Sequence, residues 1–147
     1  MAAKQSNVSK GRIVQWVING DTFKACIFKT SEALTALQDY ELLSTLLAAG
    51  GGASNVECTG YTRPTLSGLT ATLNHGSNSY DFDSDDILLG AVAAQTSNAP
   101  TTVCCVYKHV AGGDANCIPA TFHDWVVIPD GSVLTAGTAS GIFSAID

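Results

Sequence analysis

The sequence predicts a mainly-β, single-domain fold, a sandwich or barrel-like arrangement with one short amphipathic helix. Three observations carry this. Thr, Val, Ile and aromatic residues recur in short runs along most of the chain, and these residue types suit the pleated, half-buried surface of a strand. Fourteen glycines, with Asn and Ser, punctuate those runs, as turns between short strands require. Only one stretch, about residues 39–49, carries an apolar period of the helical kind. With 147 residues, the chain suits one domain and can build a core without metal or disulfide staples.

The elements follow in order. Residues 1–10 are polar and hold Lys4 and Lys10. They read as a flexible N-terminal arm, or as an arm that docks onto a neighbouring subunit. The β-rich domain is then 11–147. Asn19-Gly20 separates two apolar runs and is the strongest short hairpin signal. The second run predicts a strand at about 22–29, because Phe23, Ala25 and Ile27 alternate with Thr22, Lys24 and Cys26. The first run, Ile13 to Ile18, fits a strand or a short helix. Thr30 or Ser31 can cap a first turn holding Leu34 and Leu37, and Asp39 can cap the helix at 39–49. Tyr40, Leu43 and Leu47 line one face of that helix, and Gly50-Gly51-Gly52 stops it. Beyond Asn55 the period becomes that of strands. Residues 102–108 and 125–128 read as buried strands, with a turn at Pro129-Asp130-Gly131.

Composition narrows the function. Charged residues are 14% of the chain, hydrophobic ones 46%, and mean hydropathy is +0.19. Intrinsic disorder needs the opposite balance. The net charge of -6 and pI near 4.7 repel phosphate and argue against a nucleic-acid partner. The longest apolar runs, 42–49 and 87–94, fall short of a membrane-spanning helix. The first ten residues carry no secretory pattern, which points to synthesis in a reducing cytoplasm. Five cysteines, an odd number, cannot all pair within one chain. So apolar a chain with so few charges predicts a face that other protein covers.

The chemistry-bearing clusters each fail a spacing test. Asp81, Asp83, Asp85 and Asp86 resemble a calcium loop, but Asp86 and Val92 stand where that loop needs Gly and Glu. Cys104 and Cys105 are adjacent, so on a strand they face opposite sides and do not share a zinc ion with His109, Cys117 or His123. His123 and Asp124 point apart for the same reason, which is not the build of a catalytic triad. Gly50-Gly51-Gly52 follows a helix, whereas a phosphate loop precedes one. The expectation is no catalytic, cofactor or metal site.

Four stretches, taken in order, resemble a family of small tailed-bacteriophage virion proteins. They are Asp39-Tyr40-Glu41-Leu42-Leu43, Gly60-Tyr61-Thr62-Arg63-Pro64-Thr65-Leu66, Phe82-Asp83-Ser84-Asp85-Asp86-Ile87 and Ala139-Ser140-Gly141-Ile142-Phe143, with Val103 to Lys108 between the last two. The resemblance runs from about residue 22 to the C-terminus. It departs at Leu88, where the family's acidic segment runs into Trp, and at Leu134, near the place of an expected aromatic residue. It implies a non-enzymatic virion structural protein: a capsid decoration (cement) protein on the capsid surface, bound to the major capsid protein and to copies of itself, with a trimer favoured. The alternatives are a tail or neck component, or a host-surface binding module using Trp16 or Trp125. Tyr61, Arg63, Lys4 and Lys10 are the candidate interface residues. Arg63 would form an intersubunit ion pair or stack on Tyr61, or else pair with a carboxylate of its own chain.

Overall fold

A computed structural model describes residues 3–48, 55–76, 79–94, 101–125, 127–137 and 143–146. The fold is mainly β. Its centre is an antiparallel sheet of five strands: β1 (Ala3–Gln5), β2 (Phe23–Thr30), β3 (Val56–Glu57), β7 (Thr101–Lys108) and β8 (Ile118–Asp124), in the order β1-β8-β7-β2-β3. Two smaller antiparallel sheets join β4 (Thr70–Asn74), β5 (Ser79–Asp83) and β10 (Phe143–Ile146), and β6 (Ile87–Ala91) with β9 (Val133–Ala136).

The central sheet is buried on both faces, which explains the near-continuous apolar runs of β2 and β7. One face presents Phe23, Ala25, Ile27, Cys104, Val106 and Ala120 to Phe82, Ile87 and Leu89 of the small sheets and to Ile13 and Trp16 of a helix. The other presents Cys26, Phe28, Val103, Cys105, Tyr107 and Phe122 to Leu37, Leu43 and Leu46. The layers are therefore small sheets, central sheet, then two short helices.

Several expectations need correction. Of the two readings for the run before Asn19-Gly20, the short helix holds: it is α1 (Ile13–Ile18), with Ile13 and Trp16 buried. Asn19-Gly20 ends that helix rather than turning a hairpin. Gly20 takes φ +74° and its N–H bonds to the Val17 carbonyl, so the backbone freedom that serves a hairpin serves a helix stop equally well. The first turn holding Leu34 and Leu37 is a separate short helix, α2 (Leu34–Leu37), and the helix expected at 39–49 starts later, as α3 (Leu43–Ala48), so the helical stretch is in two pieces. Ala33, not Thr30 or Ser31, is the N-cap residue of α2. Asp39 lies between the pieces, and its carboxylate accepts from Asn7 Nδ2 at 2.6 Å. The early N–H groups of α3 are satisfied from afar, Leu43 by the Cys117 carbonyl and Ser44 by that of Asp114. Gly50-Gly51-Gly52 lies outside the described residues.

Residues 3–10 are not a loose arm. Strand β1 pairs with β8, the Ser6 N–H bonds to the Ala120 carbonyl, and the buried Ser9 hydroxyl bonds to the carbonyls of Ser6 and Ala120. The strand expected at 125–128 lies earlier, at Ile118–Asp124, and the described residues Trp125, Val127 and Ile128 are outside it. Pro119 hid that strand. It is accommodated because the register shifts between Val106 and Tyr107, opposite it.

Candidate interaction surface

The segment from Cys58 to Leu66 completes the free edge of β2. Its backbone bonds run from Cys58 N–H to the Ile27 carbonyl, Ala25 N–H to the Pro64 carbonyl and Leu66 N–H to the Phe23 carbonyl. Between these, the Ile27 N–H reaches the Tyr61 hydroxyl oxygen at 2.8 Å, so a side chain stands in for a missing strand. The entry to the segment needs Gly60, whose φ is +84° and whose absent Cβ would fall 2.8 Å from Ala93.

Arg63 is gathered here. Its Nε donates to Glu57 Oε1 at 2.7 Å and its Nη2 to Oε2 at 2.6 Å. Asp114 takes Nη1 at 2.6 Å and Nη2 at 3.0 Å. The Tyr61 hydroxyl also meets Glu57 Oε1 at 2.8 Å. The guanidinium lies over the Tyr107 ring, 5.7 Å from its centroid. The bonds to Glu57 hold Arg63 well above its ordinary pKa, against the opposing effect of burial. Burial raises Tyr61, and pushes Tyr107 up to about 12. Of the readings offered for Arg63, the structure contains the intrachain ion pair, and its aromatic neighbour is Tyr107.

The four candidate residues do not form one site. Tyr61 and Arg63 flank β2 at one edge of the central sheet. Lys4 lies on β1 at the other edge, with Lys10 shortly beyond, its Nζ on Asn7 Oδ1 at 2.6 Å. The sequence pattern gave no weight to Glu57, Asp114 or Tyr107. The excess of carboxylates over basic residues was the available signal that Arg63 has an acidic partner in its own chain.

The acidic cluster builds a turn. Asp85 Oδ2 accepts from the Ser67 hydroxyl at 2.7 Å, the Asp85 N–H bonds to the Ser67 carbonyl, and Gly68 leaves the room that this carboxylate occupies. Among the described residues, no group of three His, Cys, Asp or Glu side chains is arranged to hold a metal ion. Cys104 and Cys105 fall in the cores on opposite faces of the sheet. Trp16 is buried and Trp125 packs half-buried against the same core. No helix among the described residues is long and apolar enough to cross a membrane.

A different surface stands out. Leu88 and Val133 are 66% and 69% exposed. They belong to paired strands, with Leu88 opposite Thr135 and Val133 opposite Ala91. Leu88, Ala91, Val133 and Thr135 all face solvent, whereas Ile87, Leu89 and Ala136 face the core. The outer face of the β6–β9 ribbon thus carries Leu88, Ala91 and Val133 along its length, with Asp86 just before β6 and Asp130 three residues before β9. Strands β4, β5, β6, β9 and β10 contain no lysine or arginine, and after Arg63 the chain holds one lysine, Lys108, and no arginine. The layer of small sheets is therefore acidic around an exposed apolar strip.

No protein family, curated protein or solved structure matches this chain.

Proposed function

We propose that the chain is a non-enzymatic structural protein of a tailed-phage virion, a capsid decoration protein that binds the major capsid shell and copies of itself. The observation that carries the reading is the exposed strip of Leu88 and Val133 on the β6–β9 ribbon. Large apolar side chains held rigidly on a strand face, with an acidic surround, suit a contact with another protein. The resemblance of the Gly60–Leu66, Phe82–Ile87 and Val103–Lys108 segments to phage virion proteins supplies the class. Tyr61, Arg63 and Asp85 in those segments tie the chain to itself, as suits a part whose task is to hold a shape.

Densitometry of purified virions tests this reading. A decoration protein is present in hundreds of copies. A ring of about six or twelve copies would place the protein at the neck or tail, and absence from the particle would overturn the virion reading. The host-surface alternative has less support, because Trp16 and Trp125 are packed into the core rather than lining a cleft.

A further inference from the structure

We infer that Cys26 and Cys105 are a latent cross-strand disulfide site, which a low-molecular-weight disulfide such as oxidised glutathione closes. The inference is independent of the capsid reading. All five cysteines are free and buried, and Cys26 and Cys105 stand directly opposite each other on neighbouring antiparallel strands. Both side chains enter the same core, beneath Leu37, Leu43 and Leu46. Cys104 fails this test, because its partner on β2 is Ile27 and its side chain enters the other core.

The backbone defines the pair further. The Ile27 N–H and carbonyl turn away from β7, towards Tyr61 and Cys58. Groups alternate sides along a strand, so those of Cys26 turn towards β7 and Cys105. Such a hydrogen-bonded pair has its Cα atoms about 5.5 Å apart, within the usual disulfide range. Cβ atoms across a sheet stand somewhat farther apart than in a disulfide, so closure draws them together by about 1 Å. That strain makes the bond readily reducible.

The exchange balances. One thiolate attacks a sulfur of oxidised glutathione, and a first glutathione leaves and takes up a proton. The second cysteine sulfur attacks the mixed disulfide and releases the second glutathione. Two S–H bonds and one S–S bond break, one S–S bond and two S–H bonds form, and two electrons pass from the protein to glutathione. Burial holds Cys105 protonated, so the step is slow in the closed fold. It proceeds when the covering layer opens. That layer is built from helices of only four and six residues, and such short helices depend on packing for their stability.

The test incubates the full chain with oxidised glutathione, in buffer and in sub-denaturing urea, then blocks free thiols with N-ethylmaleimide and maps tryptic peptides by mass. The expected product links the Cys26 peptide to the one holding Cys104 and Cys105. The link persists in Cys104→Ala, is absent in Cys105→Ala and Cys26→Ala, and is reversed by dithiothreitol. The linked chain, closed over a loop of about 80 residues, melts roughly 5–10 °C higher than the reduced one. Five blocked thiols after treatment in urea, or a link that survives Cys105→Ala, would overturn the inference. In the wild type, fragment ions of the linked peptide place the bond at Cys105 rather than at Cys58 or Cys104, which share that tryptic peptide, so the readout does not depend on any variant folding.

Discussion

Glu57 and Arg63, six positions apart in the chain, close on each other at two points, Nε to Oε1 at 2.7 Å and Nη2 to Oε2 at 2.6 Å. Asp114, from the connection between β7 and β8, takes the other side of the same guanidinium. One cation thus ties the edge of the sheet to a loop that is distant in sequence. That loop also supplies the carbonyls that satisfy the start of α3. The tie is partly exposed, with Arg63 at 22% and Glu57 at 26% side-chain exposure. It lies between the weak surface pair and the costly buried one.

Arg63→Ala should therefore destabilise the fold by about 2 kcal/mol, a fall in Tm of roughly 4–8 °C. Arg63→Lys should recover less than half of this, because an ammonium cannot reproduce the forked contacts to two carboxylates. Thermal melting of the three proteins at matched salt checks the claim. Equal melting of wild type and Arg63→Ala would remove the tie from the account.

Tyr61→Phe keeps the ring and removes the hydroxyl that accepts from the Ile27 N–H. Ile27 is fully buried, so the orphaned amide should cost about 1–3 kcal/mol. Hydrogen exchange gives the sharper readout. The Ile27 amide should lose protection relative to Cys105 on the next strand, and unchanged protection at Ile27 would contradict the role assigned to Tyr61.

His123 sets an acid limit. Burial lowers its pKa from 6.5 to about 4, and its Nε2 lies 2.8 Å from the Thr121 hydroxyl. The unfolded chain takes up this proton at the higher pH, so between pH 6.5 and about 4 the unfolded state binds more protons and stability falls as pH falls. The loss reaches about 3 kcal/mol and levels off below the folded value. His123→Gln, which cannot titrate, should show a flatter stability curve across that window in urea melts. A curve parallel to wild type would sink the assignment.

The sequence carried the strands that alternate cleanly or run unbroken, 23–30 and 101–108, because burial on one or both faces leaves a plain pattern. It misled where one signal serves two structures. Asn19-Gly20 stops a helix as readily as it turns a hairpin, and a strand with Pro119 opposite a register shift does not read as a strand. Tyr61 and Arg63 were legible as unusual residues. Their partners Glu57, Asp114 and Tyr107 were not, because the pairing depends on how β2, β3 and the β7–β8 loop meet in space. The exposed strip was legible only as a surplus. The balance of 46% hydrophobic to 14% charged residues predicted uncovered apolar surface. Only the register of β6 on β9 shows that Leu88 and Val133 share its outer face.

The central claim is that this strip docks on the capsid shell. On the proposed virion reading, the most direct measurement is co-sedimentation of the purified protein with shells of the major capsid protein encoded in the same genome. Wild type should bind to saturation. Leu88→Asp with Val133→Asp should lose at least about tenfold in affinity, while its Tm stays within the small range expected of exposed substitutions, roughly ±0.5 kcal/mol each. Undiminished binding by the double variant, with its melting unchanged, would contradict the account.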